Sequence, residues 1–374
     1  MSYRQAQTSG VQVNPIGNRL SKHEFGEIVI DPAASPPEAG DLALPIEQLS
    51  ERIRIARDAE ASVILCYGAH LIKNGLGPVV ADLVREGWIT HLGTNGAGVI
   101  HDWEYAFQGR SEEDVRSNVA DGSFGAWDET GRYAMVTLAT GVLRGMGYGE
   151  SIGRLVHEGG VWVPSADTLR GRLSAWAQAP IADETIGAAA DLLHCIELGS
   201  WPQGWTDIKH AAPEASLAAT AFANRTPLTV HPGIGYDIVY VHPQAQASVF
   251  GRAAGIDFRV FCQSVDDLGQ SGVVISVGSA IMAPQVFEKA ASVANNLRSQ
   301  RNVDAIAPYI AVNDLQPATW DWAHGEPPAS DPAYYLRFLK SFSRTTAEPL
   351  SYLAGDNRVV MCNLHRLLMH PASS

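Results

Sequence analysis

The chain has 374 residues, and its 27 lysines and arginines are outnumbered by 40 aspartates and glutamates, which gives a formal charge of −13. Apolar residues make up 46% and charged residues 18%, a balance that is typical of a folded globular protein rather than a disordered one. The acidic surplus excludes a chain that coats nucleic acid, because phosphate binding needs a basic surplus. The length suits one large α/β domain or two modest ones.

No segment is apolar for long enough to cross a bilayer, and the N-terminus lacks the basic and then apolar pattern of a signal peptide. We therefore expect a cytoplasmic protein whose partners include neither a membrane nor a nucleic acid. The four cysteines are scattered without CxxC spacing, which favours buried free thiols over a zinc knuckle or a disulfide framework.

Residues 1–45 are predicted to form an extended arm. The stretch 31–40 contains three prolines and cannot pack as a regular helix or strand, so we expect it to lie on the body of the protein or on a neighbouring subunit. A helix is predicted around residues 45–59, and residues 46–374 are predicted to form a single α/β domain.

Short apolar runs that alternate with helical patterns follow the arm. Strands are predicted at residues 62–67, 89–93, 228–231, 237–242, 273–278 and 306–311. Helices are predicted at residues 78–86, 99–107, 112–119, 245–268 and 284–298. This alternation indicates a Rossmann-like parallel sheet flanked by helices, and residues 128–226, which are poor in strand signals, are expected to be a helical insert.

Ligands of an open parallel sheet bind beyond the carboxyl ends of its strands, so the residues that follow each strand are candidates for a site. After the first strand come Gly68, Ala69, His70 and Lys73. His70 could act as a general acid or base, and Lys73 could neutralise a phosphate. The alternative is a histidine that caps a helix beside a solvated lysine.

Two glycine-containing turns could hold a phosphate or pyrophosphate group. Thr94, Asn95, Gly96, Ala97 and Gly98 follow the second strand and would bring backbone N–H groups and a helix N-terminus to an anion. Gly278 and Ser279 form a second such turn. An ordinary strand-to-helix turn is the alternative, since neither turn has a GxGxxG or a Walker pattern.

Further polar candidates follow these turns. His101 and Asp102 are adjacent, so one side chain could face the site while the other caps a helix. His231, Asp237 and His242 could converge with them. A metal hydrolase is a weaker hypothesis, because these residues have no recognised ligand spacing and no HExxH motif is present.

Several of these segments resemble the motifs of deoxyhypusine synthase and its bacterial relatives. The matching segments are residues 65–75, 94–102, 235–242 and 274–282, and Gly355 and Asp356 fall where that family has an Ala-Asp pair. The likeness covers roughly residues 60–110 and 225–370. It rests on the order and spacing of short motifs.

The resemblance implies a Rossmann-like fold, a homotetramer of paired dimers with shared sites, and NAD as the cofactor. It implies that NAD contacts Ala69, Thr94, Asn95, Gly96, Ala97 and Asp356, and that Asp237 lies near the substrate amine. The chain departs from the family at the nucleophilic lysine, whose place is taken by Met282, and at acidic positions replaced by Ile100 and His101. A methionine cannot form a Schiff base, so we do not expect modification of a protein lysine.

The sequence therefore predicts an NAD-dependent oxidoreductase or transferase that acts on a small polar substrate, hydroxylated, amine-bearing or phosphorylated, by transient oxidation. A base among His70, His101 and His231 would remove the substrate proton, with Lys73, Asp102 and Asp237 nearby. A non-catalytic ligand-binding protein and an NAD-cleaving enzyme are the alternatives.

Overall fold

The computed structural model describes residues 3–318, 320–345 and 350–370, which divide into two compact units. The α/β unit comprises residues 28–99, 220–231 and 257 to the end of the described chain, and the helical unit comprises residues up to 27, 100–219 and 232–256. This division differs from the predicted arm over 1–45 and insert over 128–226. Both units are assembled from segments that are distant in sequence.

A six-stranded parallel sheet forms the centre of the α/β unit. Its strands are β1 (Val63–Tyr67), β2 (His91–Thr94), β3 (Leu228–Val230), β4 (Val273–Val277), β5 (Tyr309–Asp314) and β6 (Ser351–Ala354). The spatial order is β3-β2-β1-β4-β5-β6, and every neighbouring pair is parallel. This is the strand order of a doubly wound Rossmann fold, in which the direction of winding reverses between β1 and β4.

The central strands are apolar because helices flank the sheet. All five residues of β1 and all five of β4 are buried, as expected for a parallel sheet that is covered on both faces. Ile64 and Cys66 pack into a core cluster with the helix Met282–Gln300 and with Phe261. The helices Ala43–Asp58 and Asn357–Met369 contact each other and the strands β1, β4 and β5.

The remaining elements complete the two units. The other helices of the α/β unit are Ala69–Lys73, Gly77–Arg85 and Arg337–Ser343. The helical unit contains the helices Val115–Asp121, Asp128–Leu143, Tyr148–Glu158, Ala166–Gln178 and Ile186–Gly199. It also contains two two-stranded ribbons: His23–Glu24 pairs with Arg110–Ser111, and Gly160–Val163 pairs with Gly204–Asp207. The helices Gly96–Gln108, Leu217–Ala223 and Ala247–Asp266 contain residues of both units.

Most predicted elements are confirmed, but two strand predictions need correction and one strand of the sheet was missed. The prediction of a strand over 237–242 is wrong, because the chain forms a short 3-10 helix, Ile238–Tyr240, between a glycine-containing turn at 233–237 and a turn at 242–245 that contains Pro243. The strand predicted at 306–311 begins three residues later, after Pro308, which has no N–H to donate to a sheet. The edge strand β6 was not predicted, because it has four residues, of which one is buried, two are half-buried and one is exposed, and such a short mixed segment carries no strong apolar signal.

The cysteines are free thiols, as the sequence predicts. Three of the four are buried and Cys262 is half-buried. Among the helices in the described residues, none combines the length and the apolar character that a membrane span requires.

Candidate functional site

The carboxyl ends of the six strands are joined by a continuous set of hydrogen bonds, and we call this side of the sheet the carboxyl edge. The His231 amide donates to the Thr94 carbonyl at 2.8 Å, and the Thr94 hydroxyl donates to the Tyr67 carbonyl at 2.9 Å. The Gly68 amide donates to the Val277 carbonyl at 3.0 Å. The turns predicted to form the site therefore lie along one edge, as the sequence required.

The other half of the carboxyl edge is joined in the same way. The Gly278 amide donates to the Asn313 carbonyl, and the Gly355 amide donates to the Asp314 carbonyl, both at 3.0 Å. The buried Asn313 side chain donates to the carbonyl oxygens of Leu353 and Gly355 at 2.8 and 2.9 Å. These bonds fix the loops after β4, β5 and β6 relative to one another.

Gly68 and Gly278 meet where the winding of the sheet reverses, between β1 and β4. A Cβ atom built on Gly68 would collide with the carbonyl oxygen of Gly278, and Gly278 has φ +57°, in the left-handed region that favours glycine. In parallel α/β sheets this reversal point opens the crevice that receives a ligand. Two glycines keep the backbone of both turns close together at this point.

The two turns also carry backbone N–H groups close to the point where they meet. In the described part of the chain, the amides of Ala69, His70 and Ala280 donate no hydrogen bond. The Ser279 hydroxyl, by contrast, accepts from the Ala283 amide at 3.2 Å and so caps the helix Met282–Gln300. Ser279 is therefore a capping residue as well as a member of the predicted turn.

In the turn at residues 94–98, internal partners use hydrogen-bonding groups and space that the sequence analysis assigned to an anion. The Asn95 side chain accepts from the Gly98 amide at 2.9 Å, so it caps the helix Gly96–Gln108. Thr94 is fully buried, and a Cβ on Gly98 would collide with its hydroxyl oxygen. Gly98 is thus required for packing, and Asn95 fills part of the helix N-terminus that an anion would otherwise use.

Acidic side chains follow the two outer strands. Asp314 ends β5, and one of its oxygens accepts from the Gln316 amide at 3.1 Å. Asp356 follows β6, caps the helix Asn357–Met369, and is bound by the Arg358 guanidinium at 2.6–3.1 Å. The Arg358 side chain lowers the pKa of Asp356, which keeps this carboxyl group ionised.

His231 is the only predicted catalytic residue of the α/β unit that is buried. Its Nε2 lies 3.1 Å from the Thr229 hydroxyl, which lies 2.9 Å from Nε2 of His91. Nδ1 of His91 lies 2.7 Å from the Ser264 hydroxyl. We call these four residues the imidazole chain; it runs from the carboxyl edge to the helix Ala247–Asp266.

The environment of the imidazole chain keeps both rings neutral. Burial lowers the pKa of His231 to about 4. Burial, followed by repulsion from His231, lowers the pKa of His91 to about 3. The Phe261 ring packs edge-on against both imidazoles, with centroid distances of 5.2 Å to His91 and 5.1 Å to His231. Both rings are therefore neutral at neutral pH, and both are weaker bases than an ordinary histidine.

His70 and Lys73 lie on the short helix that follows Gly68. His70 is exposed, and Lys73 is half-buried at the end of the helix. The Asn74 side chain, one residue further, donates to Asn357 at 2.9 Å and so connects this loop to the helix after β6. Both residues thus lie in the segment that follows β1.

His101 belongs to the helical unit, where it is part of a separate polar cluster. Its Nδ1 lies 2.7 Å from the Ser111 hydroxyl, and that hydroxyl donates to Glu104 at 2.5 Å. Glu104 is held by Arg19 in a buried bidentate pair at 2.7 Å. Since a carboxylate only accepts, the Ser111 oxygen accepts from Nδ1–H, which leaves the lone pair of neutral His101 on Nε2.

Asp102 and Asp237 also lie in the helical unit, and both carboxyl groups accept local hydrogen bonds. Asp102 accepts from the Ser216 hydroxyl and from the amides of Leu217 and Ala218, so it caps the helix Leu217–Ala223. Asp237 accepts from the Gly233 amide at 2.7 Å. Burial raises the pKa of each carboxyl group to about 6.

His242 and Met282 do not offer the chemistry considered for their positions. His242 is buried, with Nε2 3.6 Å from an Asp128 oxygen. Met282, at the place of the family's lysine, is part of the hydrophobic core cluster. Among the described residues no group of three or more histidine, cysteine, aspartate or glutamate side chains could hold a metal ion.

Sequence reasoning missed four residues that shape the carboxyl edge: His91, Thr229, Asn313 and Asp314. His91 and Thr229 are polar residues within the apolar strands β2 and β3; Thr229 pairs with Gly93, two residues after His91, and its hydroxyl reaches the His91 ring. That pattern of isolated polar residues in buried strands was the available signal, because a buried polar side chain needs a partner.

Comparisons with known proteins give a likeness in fold only. No family model matches the chain, and no curated protein matches it. Solved structures that align with it include the ternary complex of AgrE with ornithine and NAD+, with 14% identity, a TM-score of 0.44, and coverage of 91% of this chain and 34% of that one. Another is apo ArgZ, an arginine dihydrolase of the cyanobacterial ornithine-ammonia cycle, with 14% identity, a TM-score of 0.38, and coverage of 88% and 33%. The chain spans about a third of the length of these structures.

Proposed function

We propose that the chain binds NAD at the carboxyl edge, in the crevice between β1 and β4, and that it is an NAD-dependent enzyme acting on a small polar substrate. The observation that carries this proposal is the contact between Gly68 and Gly278 at the reversal of a 3-2-1-4-5-6 sheet. Dinucleotides bind at this point of doubly wound sheets.

The residues at the crevice fit the parts of a dinucleotide. The amides of Ala69, His70 and Ala280 would donate to the pyrophosphate, because no other acceptor occupies them in the described residues. Asp314 or Asp356 would accept from ribose hydroxyls. Ile281 and Leu315, which are 70% and 76% exposed just after β4 and β5, would cover apolar ring surface.

The chemistry follows from this placement. Bound nicotinamide accepts hydride from a carbon that bears a hydroxyl or an amine and can return it. The His231 imidazole would accept the proton of that hydroxyl or amine as hydride leaves, and its lowered pKa makes this step harder than it would be for an ordinary histidine. Thr229 would fix the orientation of the ring through Nε2, and the exposed His70 is a second candidate for this role.

The proposed reaction does not include the transfer of a group to a protein lysine. Met282 lies in the core, so no covalent imine forms at that position. Hydroxylated, amine-bearing and phosphorylated molecules remain as substrate classes, and the known ligands of the aligned structures, ornithine and arginine, are amines. We also propose a homo-oligomer with shared sites, which light scattering would test.

Calorimetric titration with NAD+ and NADH tests the proposal. We expect binding with a dissociation constant below about 1 mM, which corresponds to about 4 kcal/mol. Ile281→Asp should weaken binding by about tenfold or more, because a carboxylate would repel the pyrophosphate. The control Leu297→Asp changes another exposed apolar residue near the far end of the same helix and should bind as the wild type. No binding up to about 1 mM would reject the proposal.

A non-catalytic ligand-binding protein is the second candidate, and the burial of Met282 favours it. Turnover separates the two functions. An enzyme that oxidises its substrate transiently would exchange deuterium between labelled NADH and substrate carbon in the presence of a small-molecule extract, whereas a binding protein would bind NAD without exchange. Release of free nicotinamide would indicate NAD cleavage instead.

A further inference from the structure

The proline-containing segment of the arm covers a helix rather than packing against the sheet. We call residues 30–37 the strap. At one end the Ile30 amide donates to the Gly75 carbonyl at 3.1 Å, and at the other the Asn363 side chain donates to the Pro37 carbonyl at 2.9 Å. The strap is thus attached at both ends. Its three prolines restrict the backbone between them.

A cavity of about 490 Å³ lies between the strap and the helix Asn357–Met369. This volume is within the range of small-molecule sites. Ile30, Pro32, Val79 and Val359 give it an apolar lining. Gly68, Gly278 and Ser279 do not line it, and Asp356 is the single residue that it shares with the residues proposed to hold NAD. The strap cavity is therefore distinct from the crevice between β1 and β4.

One face of the helix supplies the polar side of the strap cavity. Arg358, Cys362, Arg366 and His370 all line it, at intervals of four residues. Side chains at this interval lie above one another along an α-helix. The helix therefore presents two guanidinium groups and a thiol in one row, and His370 follows directly after the last helical residue.

The charges around the strap cavity are not all neutralised. Arg358 is paired with Asp356 at 2.6 Å. The remaining charged side chains are Arg366 on the helix and Asp31 on the strap. In the described part of the chain neither of them forms an ion pair, although both line the same cavity. One oxygen of Asp31 accepts from the Ala33 amide at 2.9 Å, which orients the carboxylate locally.

From this arrangement we propose that the strap cavity binds a small zwitterion of the amino-acid class. The ligand carboxylate pairs with the Arg366 guanidinium, in the bidentate geometry that this group favours. The ligand ammonium group pairs with Asp31, and its side chain lies on the apolar lining. Both charged side chains are exposed to solvent, and a zwitterion would gain two ion pairs where an anion or a cation alone would gain one.

This inference goes beyond the proposed function and does not depend on it. NAD would bind at a different place, so either site can exist without the other. The experiment therefore monitors both sites in the same protein.

The test starts from the full chain and the twenty common L-amino acids, each added singly while the thermal unfolding midpoint is measured. The amino acid with the largest shift is then titrated by calorimetry beside two analogues, its amide, which lacks the carboxylate, and the acid that lacks the amino group. We expect the zwitterion to bind about tenfold or more tightly than either analogue, because each analogue leaves a charge unpaired.

Two variants locate the binding. Arg366→Gln and Asp31→Asn should each weaken binding about tenfold or more, while Asp31→Asn retains the oxygen that accepts from Ala33. Arg259→Gln, a change of another exposed arginine of the α/β unit, should bind as the wild type. All three should bind NAD as the wild type does. The ligand should also slow alkylation of Cys362 but not of Cys262.

Three results would overturn the inference. They are an absence of any shift with all twenty amino acids, equal binding of the zwitterion and either analogue, and equal binding by the wild type and the Arg366→Gln and Asp31→Asn variants. If the wild-type protein binds the amino acid but does not bind NAD, only the proposed function is contradicted. The two proposals can therefore fail separately.

Discussion

Gly68 has no room for a side chain, since its neighbour across the crevice is the Gly278 carbonyl oxygen. We expect Gly68→Ala to lower the free energy of unfolding by about 1–3 kcal/mol, the usual cost of forcing extra atoms into a packed site. Gly171→Ala, in a helix where nothing lies within 4 Å of the added carbon, should raise it slightly. Urea denaturation of both variants tests this, and equal stabilities would show that the two turns do not touch.

His231 gives the pH dependence of stability a definite sign. Its pKa is about 4 in the folded chain against 6.5 in the unfolded one, so between these values the unfolded state binds more protons. The stabilisation by neutral His231 is complete above pH 6.5 and is lost as the pH falls towards 4. Asp102 and Asp237, with pKa values raised to about 6, act in the opposite direction.

A comparison of variants isolates the contribution of His231. The difference in unfolding free energy between wild type and His231→Asn should shrink by about 2 kcal/mol when the pH is lowered from about 7 to about 5. Urea titrations at the two pH values measure it. A difference that stays constant would mean that His231 is not buried in its neutral form.

The helix Gly96–Gln108 depends on its first turn, where Asn95 accepts from the Gly98 amide. Asn95→Ala should cost about 1 kcal/mol of stability, because it removes this cap. Asn95→Asp keeps an acceptor at the positive end of the helix and should remain near the wild type. If both variants lost the same stability, capping would not be the role of this residue.

At the scale of elements, the sequence predicted those that are apolar and long. Strands β1 and β4 were predicted because every residue in them is apolar or small and buried. The strand β6 was missed because its four residues carry a mixed pattern. The Asp237 region was predicted as a strand from its apolar residues alone, although the glycines and prolines around it favour turns.

The candidate site could be predicted only in part, for a physical reason. Because strands in a parallel sheet end at the same edge, the turns at 68–73, 94–98 and 278–279 could be grouped from sequence. The imidazole chain could not be predicted from sequence, because its prediction requires knowledge of the pairing of β2 with β3 and of the position of Ser264 on a later helix. The capping roles of Asn95, Asp102 and Ser279 likewise depend on geometry.

At the scale of the whole molecule, the division into two units was not visible in the sequence. Each unit contains three segments of the chain, and hydrophobic periodicity reports only on neighbours within one element. From the sequence, His101, Asp102 and Asp237 were grouped with His70; the structure assigns these three to the helical unit, each with its own hydrogen-bond partners, and His70 to the α/β unit.

Amide hydrogen exchange with and without NAD+ tests the central claim most directly, since it reports where the cofactor binds. We predict slower exchange at residues 68–74, 95–98 and 278–281, the three turns at the carboxyl edge, and unchanged exchange in the strap and in the helices Asp128–Leu143 and Ala166–Gln178. Slower exchange only outside these turns, or no change at a saturating concentration of NAD+, would contradict the account.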